Sequence, residues 1–318
     1  MVETPPLRVV FFGTPSFAVP TLDALLASRH SVIAVVTQPD RPRGRGQRTT
    51  ASPVKEAAVA AGIPILQPAA VKTREFAAEL GGLAADIAVV AAYGQILTEQ
   101  LLAIPRLGMI NVHASLLPHY RGAAPIHRAI IAGDFSTGVT IMRMVRALDA
   151  GAMIATQRVE IGEDDTSVDL EDRLARLGAG LLARTLDEIA AGRAHETPQD
   201  DSAATYAPRL SKDDGRVDWS RNALEIHNLI RGLHPWPHAV TFARGVRLIL
   251  HRSHPTGRTS TDAPGTILEA AADRLTIATG DSALDLLEIQ AEGKRPMHIR
   301  EFLAGHPLTL GTRLQPSP

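Results

Sequence analysis

Asn111-Val112-His113 ends a short apolar run and leads into the loop 114–121. Alternation along an extended chain puts Asn111 and His113 on one side and Val112 on the other. Asp149, in Leu148-Asp149-Ala150-Gly151, sits in a turn between two apolar segments and can reach the same edge. An amide, an imidazole and a carboxylate together suit carbonyl chemistry. The amide and an imidazolium stabilise an oxyanion, and the carboxylate orients the imidazole or relays a proton. Each residue also has an ordinary structural use, the histidine at a strand end and the aspartate in a turn. The other histidines of the first half lack metal-ligand spacing to His113, so no metal centre is expected.

Other segments narrow the chemistry by what they lack. Gly13-Thr14-Pro15-Ser16-Phe17 has one glycine where a dinucleotide-binding turn needs three, with Pro15 in the second position. A nicotinamide cofactor is therefore disfavoured, and no phosphate-binding G-x-x-x-x-G-K-[ST] loop exists. Ser115-Leu116-Leu117-Pro118 lacks the glycines of a nucleophile elbow, which argues against a serine hydrolase. Asp40-Arg41-Pro42-Arg43-Gly44-Arg45-Gly46-Gln47-Arg48 places four arginines within eight residues, interleaved with Gly and Pro that disfavour a regular element. Such a loop reads either as a solvated surface turn or as a mobile basic finger for phosphates, which guanidinium forks suit.

The elements that must hold these residues alternate. Leu7–Phe12, Val32–Thr37, Asp86–Ala91 and Met109–His113 read as buried strands; Phe17–Ala27, Pro53–Ala61, Lys72–Leu80 and Ala124–Ala132 read as helices. Ser52 before Pro53 predicts an N-cap followed by proline at the first helical position. This pattern predicts βαβ units around a mostly parallel sheet, with ligands at the strand C-termini. Thr137–Met144 and Ala152–Arg158 add two strands, and Thr166–Ala191 reads as a long amphipathic helix. A polar linker is expected over 192–205, dividing a catalytic domain (1–191) from a second domain (206–318). That second part shows five short β-like segments, His238–Phe242, Arg247–His251, Thr266–Glu269, Arg274–Ala278 and Ala283–Ile289, with a helix over Asn222–Gly232. A small β-barrel is the expected architecture.

Composition sets the outer limits. The 318 residues contain no cysteine, which removes disulfides, thiolate metal sites and cysteine nucleophiles. At 45% hydrophobic and 21% charged the chain is globular. A polar, Pro-broken start and the lack of an apolar run of ~18 residues predict a soluble, cytoplasmic protein without membrane association. The net charge of −1 divides into 19 basic and 22 acidic residues over 1–205, and 14 and 12 over 206–318. Nothing demands more than a monomer.

Several segments resemble one family, the methionyl-tRNA formyltransferases. They include Val10-Phe11-Phe12-Gly13-Thr14-Pro15, Thr37-Gln38-Pro39-Asp40-Arg41-Pro42, Ala92-Tyr93-Gly94 and Asn111-Val112-His113-Ala114-Ser115-Leu116-Leu117-Pro118. Tyr120-Arg121-Gly122-Ala123-Ala124-Pro125, Pro235-Trp236-Pro237 and Ala263-Pro264-Gly265-Thr266 extend the similarity over nearly the whole chain. The Asn-x-His and Ser-Leu-Leu-Pro element alone marks a wider group of 10-formyltetrahydrofolate-using enzymes. The arginine loop and the Pro-Trp-Pro segment point to the tRNA-directed branch.

The resemblance implies a Rossmann-like α/β formyltransferase domain followed by an OB-like barrel that helps to hold tRNA. It implies transfer of a formyl group from 10-formyltetrahydrofolate to methionyl initiator tRNA, without a metal. It further implies Asn111, His113 and Asp149 as catalytic, and Ser115, Leu116, Leu117, Pro118, Ala91, Ala92, Tyr93 and Gly94 around the folate. Arg41, Arg43, Arg45 and Arg48 are implied as the tRNA-contacting finger. The family commonly reads Met-Asp-x-Gly-Leu-Asp-x-Gly-Asp around the aspartate. Here Val145, Ala147 and Ala152 replace an acid, a glycine and an acid. Two other readings compete. A relative acting on a small amine such as a nucleotide sugar would have no use for the finger, and a non-catalytic RNA-binding protein would need none of Asn111, His113 and Asp149.

Overall fold

Val9-Val10-Phe11-Phe12 is wholly buried, and burial of each such side chain is worth roughly 1.5–3 kcal/mol. Four consecutive apolar residues buried on both faces need layers above and below, which is the environment of a central parallel strand. The computed structural model describes residues 5–43 and 48–317, with the backbone alone at 42, 43, 48 and 49. It divides into two compact units. The first takes in residues up to Gly122, with Thr137–Glu160 and Glu171–Ala207; the second takes in Ala123–Ser136, Ile161–Leu170 and the chain from Pro208. Contact in space thus groups the chain differently from the sequence boundaries at 191 and 206.

The first half of the chain runs β1 (Arg8–Gly13), α1 (Val19–Leu26), β2 (Ser31–Val36), β3 (Arg41–Arg43) and β4 (Arg48–Thr50). It continues with α2 (Pro53–Ala60), β5 (Ile65–Leu66), α3 (Arg74–Gly82), β6 (Ile87–Ala91), α4 (Glu99–Leu102) and β7 (Met109–His113). Then come β8 (Arg121–Gly122), α5 (Pro125–Ala132), β9 (Ser136–Arg143), β10 (Met153–Glu160), α6 (Ser167–Ala190) and β11 (Tyr206–Ala207). Seven strands form one sheet in the order β10-β9-β7-β6-β1-β2-β5. Neighbours from β7 through β5 run parallel, whereas β9 returns antiparallel to β7. The caps follow the sequence signals: the Ser52 side chain accepts from Lys55 N, with Pro53 opening α2. Thr73 and Thr98 cap α3 and α4 in the same way. One sheet face is lined by Val10, Phe12, Ala34, Val36, Ala88 and Val90, packed with Phe76 and Leu80 of α3.

The basic segment is more regular than its Gly and Pro content predicts. β3 and β4 pair antiparallel, Arg41 with Thr50 and Arg43 with Arg48, as a short ribbon. Three-residue strands carry too little periodicity to be read from a sequence. Residues 192–205, expected as a linker, lie within the first unit.

The second unit contains α7 (Ala223–Gly232), β12 (Ala239–Ala243), β13 (Val246–Pro255), β14 (Ile267–Ala271), β15 (Arg274–Ala278), β16 (Ala283–Ala291), β17 (Met297–His298) and α8 (Ile299–Gly305). Asn222 and Glu225 form a capping box at the start of α7. The strand order is β12-β13-β16-β15-β14, with β17 on β16. The chain end bridges both edges, Gln315 to Phe242 of β12 and Arg313 to Thr266 beside β14. That closure turns the sheet into a barrel around Trp219, Ile226, Ile230, Leu250, Leu275, Ile277, Leu284 and Phe302. No helix among the described residues is long and apolar enough to cross a membrane.

Candidate active site

β1, β2, β6 and β7 are parallel, so their C-terminal ends share one edge of the sheet. That edge carries Thr14, Gln38, the stretch Ala91–Gly94 and His113. On β7, Asn111 is half-buried and pairs with Val90 on one side and Met142 on the other. His113 is 5% exposed, and its Nε2 lies 3.0 Å from the carbonyl oxygen of Tyr120. A carbonyl only accepts, so Nε2 carries a proton. Nδ1 is left to Asp149, whose Oδ2 is 3.7 Å away. This separation is long for a direct hydrogen bond and within ion-pair reach.

Asp149 is held at its carboxylate and at its carbonyl. Its Oδ2 accepts from Gly122 N at 2.9 Å. Its carbonyl and that of Gly151 each accept from Gln199 Nε2 at 2.8 Å. Its own backbone is left-handed, with φ of 46°, a conformation that a non-glycine residue keeps only when its surroundings enforce it. Gly151 has no room for a side chain, because a Cβ there would fall 1.9 Å from the Arg143 carbonyl oxygen. Val145 and Ala147 are exposed in the approach to Asp149, while Ala152 is half-buried.

The loop after β7 is shaped from within. Ser115 is buried and donates to the His119 carbonyl at 2.6 Å, so its hydroxyl is committed to the loop. Thr140 Oγ1 donates to the Ser115 carbonyl at 2.7 Å and accepts from Leu117 N at 3.2 Å. Leu117 is buried, Leu116 and Pro118 are half-buried, and the Leu117–Pro118 peptide is cis.

At the neighbouring strand end, Ala91 and Tyr93 are buried, whereas Ala92 and Gly94 are exposed with φ of 46° and 92°. The Tyr93 carbonyl accepts from Thr14 Oγ1 at 2.9 Å and from Gln38 Nε2 at 3.3 Å. Its ring meets Phe12 edge-on at 5.3 Å. Its hydroxyl is buried without a hydrogen-bond partner, and burial pushes the phenol up to about 12.

The ribbon is anchored at its root. Asp40 accepts from Lys55 Nζ at 2.5 Å and Gln67 Nε2 at 2.8 Å, bonds that hold its carboxyl below the usual range, the lysine contributing most. Arg41 is exposed and donates to Gln38 Oε1 at 3.4 Å, which ties the ribbon to the Tyr93 stretch. Arg45 and the side chains of Arg43 and Arg48 lie outside the described residues.

Three supporting residues escaped the sequence reading. Arg121 is 4% exposed and donates to Gln199 Oε1 at 3.0 and 2.8 Å and to Asp201 Oδ1 at 2.7 Å. Thr205 Oγ1 accepts from Tyr120 N at 2.8 Å, fixing the residue whose carbonyl holds His113. Gln199 and Thr205 sit in the aperiodic stretch after α6, where only their side-chain chemistry could have signalled a role.

Known proteins place the chain in a family. The Formyl transferase profile matches residues 7–186, and the profile Formyl transferase, C-terminal domain matches 209–307. A methionyl-tRNA formyltransferase of Caldanaerobacter subterraneus subsp. tengcongensis is 48% identical over 310 residues, covering 97% of this chain and 100% of the relative. One from Solibacter usitatus is 47% identical over 308 residues, 97% and 98% of the two chains. Among solved structures, an N-formyltransferase of Helicobacter canadensis, in complex with folinic acid and dTDP-3-aminofucose, superposes with a TM-score of 0.68. It covers 90% of this chain and 99% of its own, at 18% identity, so the likeness is one of fold. Full-length identity of this order across both domains assigns the chain to the formyl transferases, as a member of the methionyl-tRNA formyltransferase family.

Proposed function

We propose that the chain transfers the formyl group of 10-formyltetrahydrofolate to the α-amino group of methionine esterified to initiator tRNA, at translation initiation. The observation that carries this reading is the His113–Asp149 pair, 3.7 Å apart, at the sheet edge of a chain 48% identical to a methionyl-tRNA formyltransferase. In the reaction the amine nitrogen bonds to the formyl carbon and the bond from that carbon to N10 breaks. The proton lost by the amine balances the one gained at N10.

Asn111 and the Nδ1–H of a protonated His113, whose Nε2 is held by the Tyr120 carbonyl and whose Nδ1 lies beyond direct hydrogen-bond reach of Asp149, supply donors for the negative charge that develops on the formyl oxygen. Asp149 faces Nδ1 of His113 and accepts the proton released by the amine, directly or through water. The folate fits the strand ends by chemistry: Ala92 and Gly94 are exposed residues with left-handed backbone, and their amides are candidates to face it. Those amides suit the amide-like edge of a pterin, with Leu116, Leu117 and Pro118 giving an apolar wall. The basic segment with Arg41, Arg43, Arg45 and Arg48 suits the phosphates and unpaired end of the acceptor stem.

The test is formylation of charged initiator tRNA with 10-formyltetrahydrofolate, beside uncharged tRNA and free methionine. Asp149→Asn keeps the size of the side chain and removes its charge. We expect kcat to fall by at least about 100-fold, with tRNA affinity nearly unchanged. Turnover close to wild type would remove Asp149 from the mechanism.

A further inference from the structure

Three histidines gather in the second unit, remote in sequence from the catalytic motif. His234 and His238 lie in the connection from α7 to β12, and His251 lies on β13. One nitrogen from each comes within 4.8 Å of the other two. Ring centroids are 4.7 Å apart for His238 and His251, 5.5 Å for His234 and His238, and 6.2 Å for His234 and His251.

Three features distinguish this cluster from packed aromatic rings. First, Nδ1 of His234 and Nδ1 of His238 are buried with no hydrogen-bond partner. A buried polar nitrogen without a partner costs about 1–3 kcal/mol, and two such atoms belong to the histidines of this cluster. Second, the tautomer of His251 is determined. Gln290 Nε2 donates to the Lys294 carbonyl at 2.6 Å, so Gln290 Oε1, 3.0 Å from His251 Nε2, is an acceptor. His251 Nε2 therefore carries the proton and Nδ1 holds the lone pair. An imidazole oriented by an acceptor on its outer N–H is the usual support of a metal-bound histidine. Third, burial favours the neutral form of two of the rings: His238 is held down at about 4, by burial and then by His251 and His234, and His234 is lowered by burial. Neutral imidazole is the ligand form.

We propose that His234, His238 and His251 form a binding site for one borderline divalent transition-metal ion of the zinc type. Three imidazoles favour such an ion over hard Mg2+ or Ca2+. Three protein ligands leave a fourth tetrahedral position for water. The ion would join the 234–238 connection to β13. Ser167 already donates to the His234 carbonyl, and His238 N donates to Leu233 O at 3.0 Å, so two of the ligands stand on a constrained backbone.

The test uses the full-length chain freed of metal by chelation. It is titrated with CoCl2 in excess MgCl2, followed by visible absorption, and then with ZnCl2 by calorimetry. The expected result is one equivalent of Co2+ with the strong d–d bands of a four-coordinate site, displaced by Zn2+. His238→Gln and His251→Gln, checked for folding by circular dichroism, should each weaken binding more than about tenfold. Zn2+ should also raise the Tm of the wild type and leave that of the variants unchanged. A wild-type titration without a saturable one-equivalent signal overturns the site whether or not the variants fold. Equal affinity in folded variants does the same and assigns the binding to scattered surface ligands.

Discussion

His113 is positioned through both ring nitrogens, one by the Tyr120 carbonyl and the other facing Asp149. Neither partner is free to drift. Tyr120 N is bound by Thr205, and Asp149 by the backbone N–H of Gly122. Gly122 itself has φ of 124°, and a Cβ there would come 2.8 Å from the Ala207 carbonyl oxygen, so the donor depends on the absence of a side chain. Tyr93 shows the opposite situation, a polar atom with no partner. Its hydroxyl is buried and its ionisation is pushed up to about 12, so at neutral pH it is an unpaired phenol. Tyr93→Phe deletes that group and retains the edge-on contact with Phe12. A buried hydroxyl without a hydrogen bond costs about 1–3 kcal/mol, so the variant should be as stable as wild type or more stable by up to roughly that amount. Urea unfolding with an unchanged m-value checks it. A loss above about 1 kcal/mol would mean that the hydroxyl is bonded in solution.

Elements with an apolar period were legible and elements without one were not. Met109–His113 and Arg274–Ala278 have the same limits in sequence and structure, and the Ser52 cap sits where its residue type predicts. Strand direction was not legible, because the apolar run of β9 is the same whether it lies parallel or antiparallel to β7. The paired strands Arg41–Arg43 and Arg48–Thr50 were hidden by the Gly and Pro content of the segment. The stretch 192–205 was hidden because its order comes from side chains bonding to distant backbone, which leaves no pattern in its own residues. Gln199 concentrates that effect: it bonds the carbonyls of Asp149 and Gly151 and accepts twice from Arg121. It is a positioning residue, and Gln199→Ala should release the Asp149 turn. Small displacements of a reacting group are costly, so we expect kcat to fall about 10–100-fold. KM for the tRNA should stay near wild type and Tm should shift only slightly. A rise in KM with unchanged kcat would instead place Gln199 in substrate binding.

At the scale of the whole molecule, near-neutral charge and an RNA substrate must be reconciled. The net charge is −1, and residues 1–205 are acidic by three charges even though they hold the arginine ribbon. A chain so balanced cannot rely on a broad positive field, so phosphate attraction has to come from dense local groups. Arg41, Arg43 and Arg45 stand within five residues and have Asp40 as the nearest acid. That acid is already paired with Lys55. Each phosphate neutralised by a protein cation contributes roughly 0.7–0.9 to the slope of log affinity against log salt. If the three arginines meet phosphates, replacing all three with Ala should flatten that slope by about two to three. The loss in kcat/KM should be largest at low salt and shrink as salt rises. Unmodified wild-type behaviour at every salt concentration would make the ribbon an ordinary solvated turn. A uniform loss with the slope intact would instead mean that the arginines act by shape or stacking at the end of the acceptor stem.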